Sequence, residues 1–175
     1  TATISGDILI GTGATMRFDQ AVNANYAGAI SGVGDLEKDG AGILTLTGNF
    51  SLTGKTSVYN GELIVAASKL GSSASFDLSG GELTVSGSSN ATISTLQMGS
   101  NDGTLKLTGG SLSVSNAVTS TRGLALTGAG TLNLDAAGNS IGGGVTLTNG
   151  ALIVGSSSSR SSAALAGDVA VGTGA

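Results

Sequence analysis

Apolar residues alternate with polar or small ones over short stretches along the whole chain, and glycine repeatedly breaks the alternation. One eight-residue unit carries the pattern. It reads VYNGELIV at Val58–Val65, LSGGELTV at Leu78–Val85, LTGGSLSV at Leu107–Val114 and LTNGALIV at Leu147–Val154. LTGAGTLNL at Leu126–Leu134 is the same unit with one extra residue. A period of two predicts a strand with one buried face. The N-G, G-G or A-G pair between the two halves predicts a sharp bend, because glycine tolerates positive φ at little cost. No stretch sustains a 3.6-residue apolar period over three turns, so no helix is expected.

The shared core of the unit is glycine, any residue, then Leu or Val at two alternate positions. Its glycines fall at Gly42, Gly61, Gly81, Gly110, Gly130, Gly150 and Gly167, spaced 19, 20, 29, 20, 20 and 17 apart. A further copy at Gly103, GTLKL, lies inside the long interval, 22 after Gly81. A strand-bend-strand unit recurring about every 20 residues predicts one coil of a parallel β-solenoid. A single coil cannot bury its apolar face, and stacking places like on like in internal ladders. Leu63, Leu83, Leu112, Leu132 and Leu152 are expected to form one ladder, with Val65, Val85, Val114, Leu134 and Val154 beside it. The expected architecture is therefore all-β, a parallel β-helix of roughly seven to nine coils and roughly 35–45 Å in length, forming one domain over residues 1–175. An antiparallel sandwich is the rival all-β arrangement. It normally shows Trp or Tyr anchors in its core and has no need of near-identical bends.

Composition then follows from the architecture. The chain has 31 Gly in 175 residues and no Pro, Cys, Trp or His, with aromatics at 3% and charged residues at 10%. Glycine suits coil corners. Proline would delete a ladder hydrogen bond in strands paired on both sides. A narrow coil takes Leu, Val, Ile and Ala more readily than Trp. Mean hydropathy of +0.32 and the absence of Pro set the chain apart from disordered tails. Glycine does not fall on every third position, which excludes collagen. Without Cys and His there is no thiol nucleophile, no imidazole base, no disulfide and no ordinary zinc or copper site. The net charge is −4 and the seven basic residues are scattered singly, so nucleic acid is not an expected partner. No apolar run approaches the roughly 18 residues of a membrane span. The chain opens at Thr with no charged-then-apolar leader, which reads as a mature or excised piece.

Leu36–Val65, LEKDGAGILTLTGNFSLTGKTSVYNGELIV, resembles the autotransporter-associated β-strand repeat of bacterial passenger domains. Leu36, Lys38, Gly40, Gly42, Leu44, Leu46, Gly48, Gly54, Thr56, Gly61, Leu63 and Val65 match its pattern, while Ile43 and Lys55 depart from it. The resemblance implies a right-handed parallel β-helix, exported and displayed on a Gram-negative surface, commonly in adhesion or self-association.

Local motifs with chemical promise each have a plainer reading. GNFSLTGKTS at Gly48–Ser57 approaches a phosphate-binding loop, but five residues separate Gly48 from Gly54 and strand-like sequence follows where a helix is required. It reads as an inter-strand turn with Lys55 exposed. Asp35, Glu37 and Asp39 in DLEKDG imitate the start of a calcium loop, yet the twelfth position is Leu46. That stretch reads as a solvated turn. Glu62 and Glu82 occupy equivalent positions in successive coils, and stacked acids about 5 Å apart have the spacing of a catalytic pair, as in a glycosidase or a polysaccharide lyase. The expected continuation of their column, Ser111, Thr131 and Ala151, supplies no third acid. Thr45 and Thr47 raise ice binding, but the outward column Thr45, Ile64, Thr84, Ser113, Asn133, Ile153 and Ala170 is mixed. Ser156–Ser159 with Arg160, Ser161 and Ser162 reads as a protruding loop between coils. No catalytic, cofactor-binding or metal-binding residue is assigned.

Function is then expected at the surface and the ends. The leading reading is a non-enzymatic extracellular β-helix serving as surface scaffold or adhesin, in cell adhesion, self-association or biofilm matrix. One alternative is a filament subunit stacked head to tail through uncapped strand edges. The other is a carbohydrate-acting β-helix enzyme. Expected partners are copies of itself or host and cell-surface ligands.

Overall fold

The computed structural model describes residues 6–155, 165–166 and 168–172. The chain winds as a β-solenoid of parallel strands in about eight turns, with three strands to a turn. The first turn lays down β1 (Ile8–Ile10), β2 (Thr15–Asp19) and β3 (Ala24–Tyr26). The second has β4 (Ile30–Gly32), β5 (Asp35–Asp39) and β6 (Ile43–Leu46), and the third β7 (Phe50–Leu52), β8 (Lys55–Val58) and β9 (Glu62–Ala66). The fourth replaces its first strand with a 3-10 turn at Ala67–Lys69, then continues in β10 (Ser75–Leu78) and β11 (Glu82–Ser86). The fifth holds β12 (Ala91–Ile93), β13 (Thr95–Gln97) and β14 (Gly103–Leu107), and the sixth β15 (Ser111–Val114), β16 (Thr119–Ser120) and β17 (Leu124–Thr127). The seventh holds β18 (Thr131–Leu134), β19 (Asn139–Ile141) and β20 (Val145–Leu147), and the eighth β21 (Ala151–Val154), β22 (Leu165–Ala166) and β23 (Val169–Val171).

Three faces result. The third is one unbroken sheet of eight strands, β3-β6-β9-β11-β14-β17-β20-β23. Its registers place successive partners 20, 19, 20, 22, 21, 21 and 24 residues apart, from Ala24 to Leu44, Leu63, Leu83, Leu105, Leu126, Leu147 and Val171. The first face runs β1-β4-β7 and resumes as β12-β15-β18-β21. It breaks at the 3-10 turn, where a single bridge joins Phe50 to Leu70. Beneath that break the rings of Phe50 and Phe76 stack at 5.9 Å, filling the space a missing strand leaves. The second face runs β2-β5-β8-β10-β13 and then β16-β19-β22. Coil-to-coil stacking and a 20-residue repeat are thus as expected. Among the described residues, the 3-10 turn is the one helical element.

The ladders differ from the expected ones in an instructive way. Leu63 and Leu83 do stack, but the next residue of that column is Leu105, not Leu112. Leu112, Leu132 and Leu152 form their own column above Ala91 on the first face. Likewise Val85 continues to Leu107, and Val114, Leu134 and Val154 follow Ile93. The 29-residue interval is therefore not an insertion. It is one full turn, from Gly81 to Gly103, plus one strand and corner, to Gly110. The repeated unit straddles the corner between the second and third faces in its early copies. From Gly110 onward it straddles the corner between the third and first. Each face accepts it because all three need the same thing, a corner without side chains followed by two inward apolar positions.

The corners are glycine for two separate reasons. Gly61 and Gly150 hold φ of +65° and +87°, a region closed to most side chains. Gly54 has no such angle; there a Cβ would stand 2.0 Å from the carbonyl oxygen of Gly34 in the turn below. Gly54→Ala is expected to cost at least about 2 kcal/mol, since backbone must move to admit the methyl, read as a lower urea midpoint. A second site runs the opposite way. Thr56 is fully buried between Leu36 and Phe76, and its Oγ1 has no hydrogen-bond partner. Thr56→Val keeps the shape and removes an unsatisfied hydroxyl. It is expected to raise stability by about 1 kcal/mol, measured by the same unfolding curve.

Candidate functional surface

Alternation aims one side of each strand inward, so chemistry-bearing residues gather on the outer sides and at corners. The second face collects most of the charge of the first four turns: Arg17 and Asp19 on β2, Asp35, Glu37 and Asp39 on β5, Lys55 on β8 and Asp77 on β10. Two ion pairs among them cross turns. Arg17 bridges Asp39 and lies 3.8 Å from Asp19, and Lys55 lies 3.6 Å from Asp77. DLEKD is a strand, not the solvated turn expected. Its acids point outward at steps of roughly 6.6 Å, too far apart to close on one ion. GNFSLTGKTS likewise folds as β7, a corner and the start of β8, with Lys55 exposed as expected and no helix following.

Corner carboxylates and amides act as staples between turns. Asp7, Asn23, Asp35, Asn90 and Asp102 each accept, through Oδ1, a backbone N–H of the next turn: those of Ala29, Ile43, Lys55, Ser111 and Gly123, at 2.8–3.1 Å. In each pair the side chain belongs to the earlier turn. These residues are occupied with structure, completing N–H groups that the ladder leaves free at its corners.

Sequence reasoning missed the inward residue of DLEKD. Lys38 stands in the interior column Phe18, Lys38, Val58, Leu78 and is fully buried. Its Nζ donates to the carbonyls of Asp39 at 3.0 Å, Gly40 at 2.8 Å and Asn60 at 3.0 Å. Three donors thus meet three acceptors, and the amine pins the corners of turns two and three together. The available signal was strict alternation, which placed Lys38 in phase with Leu36. Burial holds the ammonium below its ordinary pKa, opposed by Asp39 and Asp19. Asp39 is held below the usual carboxylate range, first by the Asn60 amide, then by the Gly40 N–H and Arg17.

Glu62 and Glu82 are adjacent in register, as expected. Their column continues through Thr104, Ala125, Thr146 and Ala170, not through Ser111, Thr131 and Ala151, which lie on the first face. The outward column divides in the same way. Thr45, Ile64, Thr84, Lys106 and Thr127 stack on the third face, and Ser113, Asn133 and Ile153 on the first. Thr84 Oγ1 donates to Glu62 Oε1 at 2.6 Å and lies 3.3 Å from Glu82 Oε1. Lys106 Nζ sits 3.9 Å from Glu82. The acids are thus partnered on a sheet surface. A cleft of about 240 Å³ among the described residues lies elsewhere, at the first turn, lined by Met16, Phe18, Gln20, Tyr26 and Leu44 among others. It is smaller than the roughly 300–1,000 Å³ of ordinary ligand sites. Among the described residues no group of three or more Asp or Glu converges to hold a metal ion, and no helix is long and apolar enough to cross a membrane. The loop expected at Ser156–Ser162 lies outside the described residues.

Parallel stacking about 20 residues to the turn, with staples at the corners and polar columns outside, defines a parallel β-solenoid. Residues 36–65 and 124–154 each match the passenger-associated-transport-repeat family, so the chain carries this repeat twice. No curated protein and no solved structure matches the chain. The first match is the segment on which the resemblance rested. The second places Leu126 where the first has Lys38, which means the coil itself does not require the lysine.

Lys38→Met keeps the length of the stem and removes the three donors. It is expected to cost about 2 kcal/mol at neutral pH, through carbonyls left unsatisfied. A pH series gives a second readout. The unfolded chain binds this proton more tightly than the folded chain between the lowered value and the ordinary 10.5. Stability therefore rises with pH across that window, and Lys38→Met flattens the rise. Asp39 acts at the other end: its contribution is complete above the ordinary carboxylate pKa and disappears as pH falls through its lowered value.

Proposed function

We propose that this chain is a segment of an extracellular bacterial rod, a non-enzymatic surface scaffold that works in adhesion or self-association. Two passenger-type repeats built into one continuous eight-stranded ladder carry this reading. A stiff stack of turns projects its outer columns in a fixed order at about 4.8 Å spacing. The columns of Thr45, Ile64, Thr84, Lys106 and Thr127 on the third face and of Ser113, Asn133 and Ile153 on the first are mainly Thr, Ser and Asn with isolated apolar residues. Such a surface offers many weak, repeated contacts, which suits multivalent attachment. Glu62 and Glu82 are engaged by Thr84 and Lys106 on a sheet surface, which favours this reading over a carbohydrate-acting enzyme.

A second reading rests on Val169 and Val171. They continue the inward columns of Val145 and Leu147 and are 47% and 64% exposed, an apolar strand onto which a further strand can pair. Stacking of copies through such edges would give filaments. Electron microscopy of the purified chain separates the two. Monodisperse rods roughly 35 Å long, together with clumping of cells or beads that display them, are the expected result. Long fibres would move the assignment to the filament reading. Polysaccharide cleavage abolished by Glu82→Gln would replace both.

A further inference from the structure

The same corner, Asn-Gly followed by an acidic or small residue and Leu-Ile-Val, occurs in both matched repeats, at Asn60–Gly61 and Asn149–Gly150. Both asparagines are exposed, and both glycines have positive φ. Their side chains are committed differently. Asn60 turns across to the neighbouring turn, where its Nδ2 donates to Asp39 Oδ1 at 2.7 Å, while its own carbonyl receives Lys38 Nζ at 3.0 Å. Asn149 folds back on itself: the Gly150 N–H donates to Asn149 Oδ1 at 2.8 Å. The side-chain amide is thereby held beside the one backbone nitrogen able to attack its carbon in a five-membered ring.

We infer that Asn149–Gly150 is a site of self-modification, at which the chain deamidates without an enzyme, while Asn60–Gly61 is protected. Base removes the Gly150 N–H proton and the nitrogen attacks Asn149 Cγ. The bond from Cγ to Nδ2 breaks and ammonia leaves, giving a succinimide. Water then opens the ring at either carbonyl, leaving aspartate or a β-linked isoaspartate. Net, one water enters and one ammonia departs. The product adds a negative charge at an exposed corner. The β-linked form also inserts a methylene beside Gly150, where even a Cβ would lie 2.4 Å from the Gly130 carbonyl oxygen. Modification therefore loosens the stacking of the seventh and eighth turns. At Asn60 the charge-assisted bond to Asp39 must break before the amide can turn. Such a bond is strong enough to slow the step about tenfold.

The test uses the full chain, folded, in mildly alkaline buffer made with heavy-oxygen water. Peptide mass spectrometry follows label incorporation at each asparagine, and a protein isoaspartate methyltransferase counts the β-linked product. Asn149 is expected to convert about tenfold faster than Asn60, and the ratio is expected to fall toward one when the chain is unfolded in urea. Asn149→Gln is expected to abolish the signal from that peptide. Equal rates in the folded chain, a faster Asn60, no conversion at Asn149, or a ratio that survives in urea would each overturn the inference.

Discussion

Successive turns of this chain stack in register one strand spacing apart, and the rest of the structure answers to that closeness. At about 4.8 Å between backbones, whatever occupies a corner in one turn lies against the same corner in the next. Gly54 above Gly34 and Gly48 above Gly28 are stacked so tightly that an added Cβ would meet a carbonyl oxygen at 2.0–2.1 Å. Between corners the same closeness is favourable. Leu44, Leu63, Leu83, Leu105 and Leu126 stand one above another and are almost wholly buried, each removing apolar surface from water at roughly 1.5–3 kcal/mol.

Polar groups are placed by the same rule. A ladder pairs strand backbone but leaves donors and acceptors free where the chain turns, and buried ones must find partners. Corner Asp and Asn residues supply acceptors, in five pairs from the earlier turn to the later. Lys38 supplies donors from inside. Much of the small complement of charge thus holds turns together: Asp35 and Asp39, two of the acids that looked like a calcium loop, are bonded to neighbouring turns, and Glu62 and Glu82 are engaged by Thr84.

The unit of structure was legible in the sequence because period two and a corner glycine are local properties. VYNGELIV announces two strands and the bend between them wherever it occurs. Which face it occupies is not local. Leu83 and Leu112 sit in near-identical octets, yet one is on the third face and the other on the first, since the intervening GTLKL takes the third-face position in the fifth turn. A single long spacing in the glycine series was the trace of that change. DLEKD misled for a related reason. Three acids in five residues suggest solvent, and only the stacking of β5 between β2 and β8 shows Lys38 to be interior.

By itself the sequence determined that this is an all-β chain of stacked turns, their length, and the residue types at corners and along the inner columns. Each of those follows from alternation and from what glycine alone permits. Tertiary structure decided which columns are continuous, which of two identical Asn-Gly corners is tied to a neighbouring turn, and which polar side chain is buried. Those outcomes depend on what the turn below presents, about 20 residues away in the chain but one strand spacing away in space.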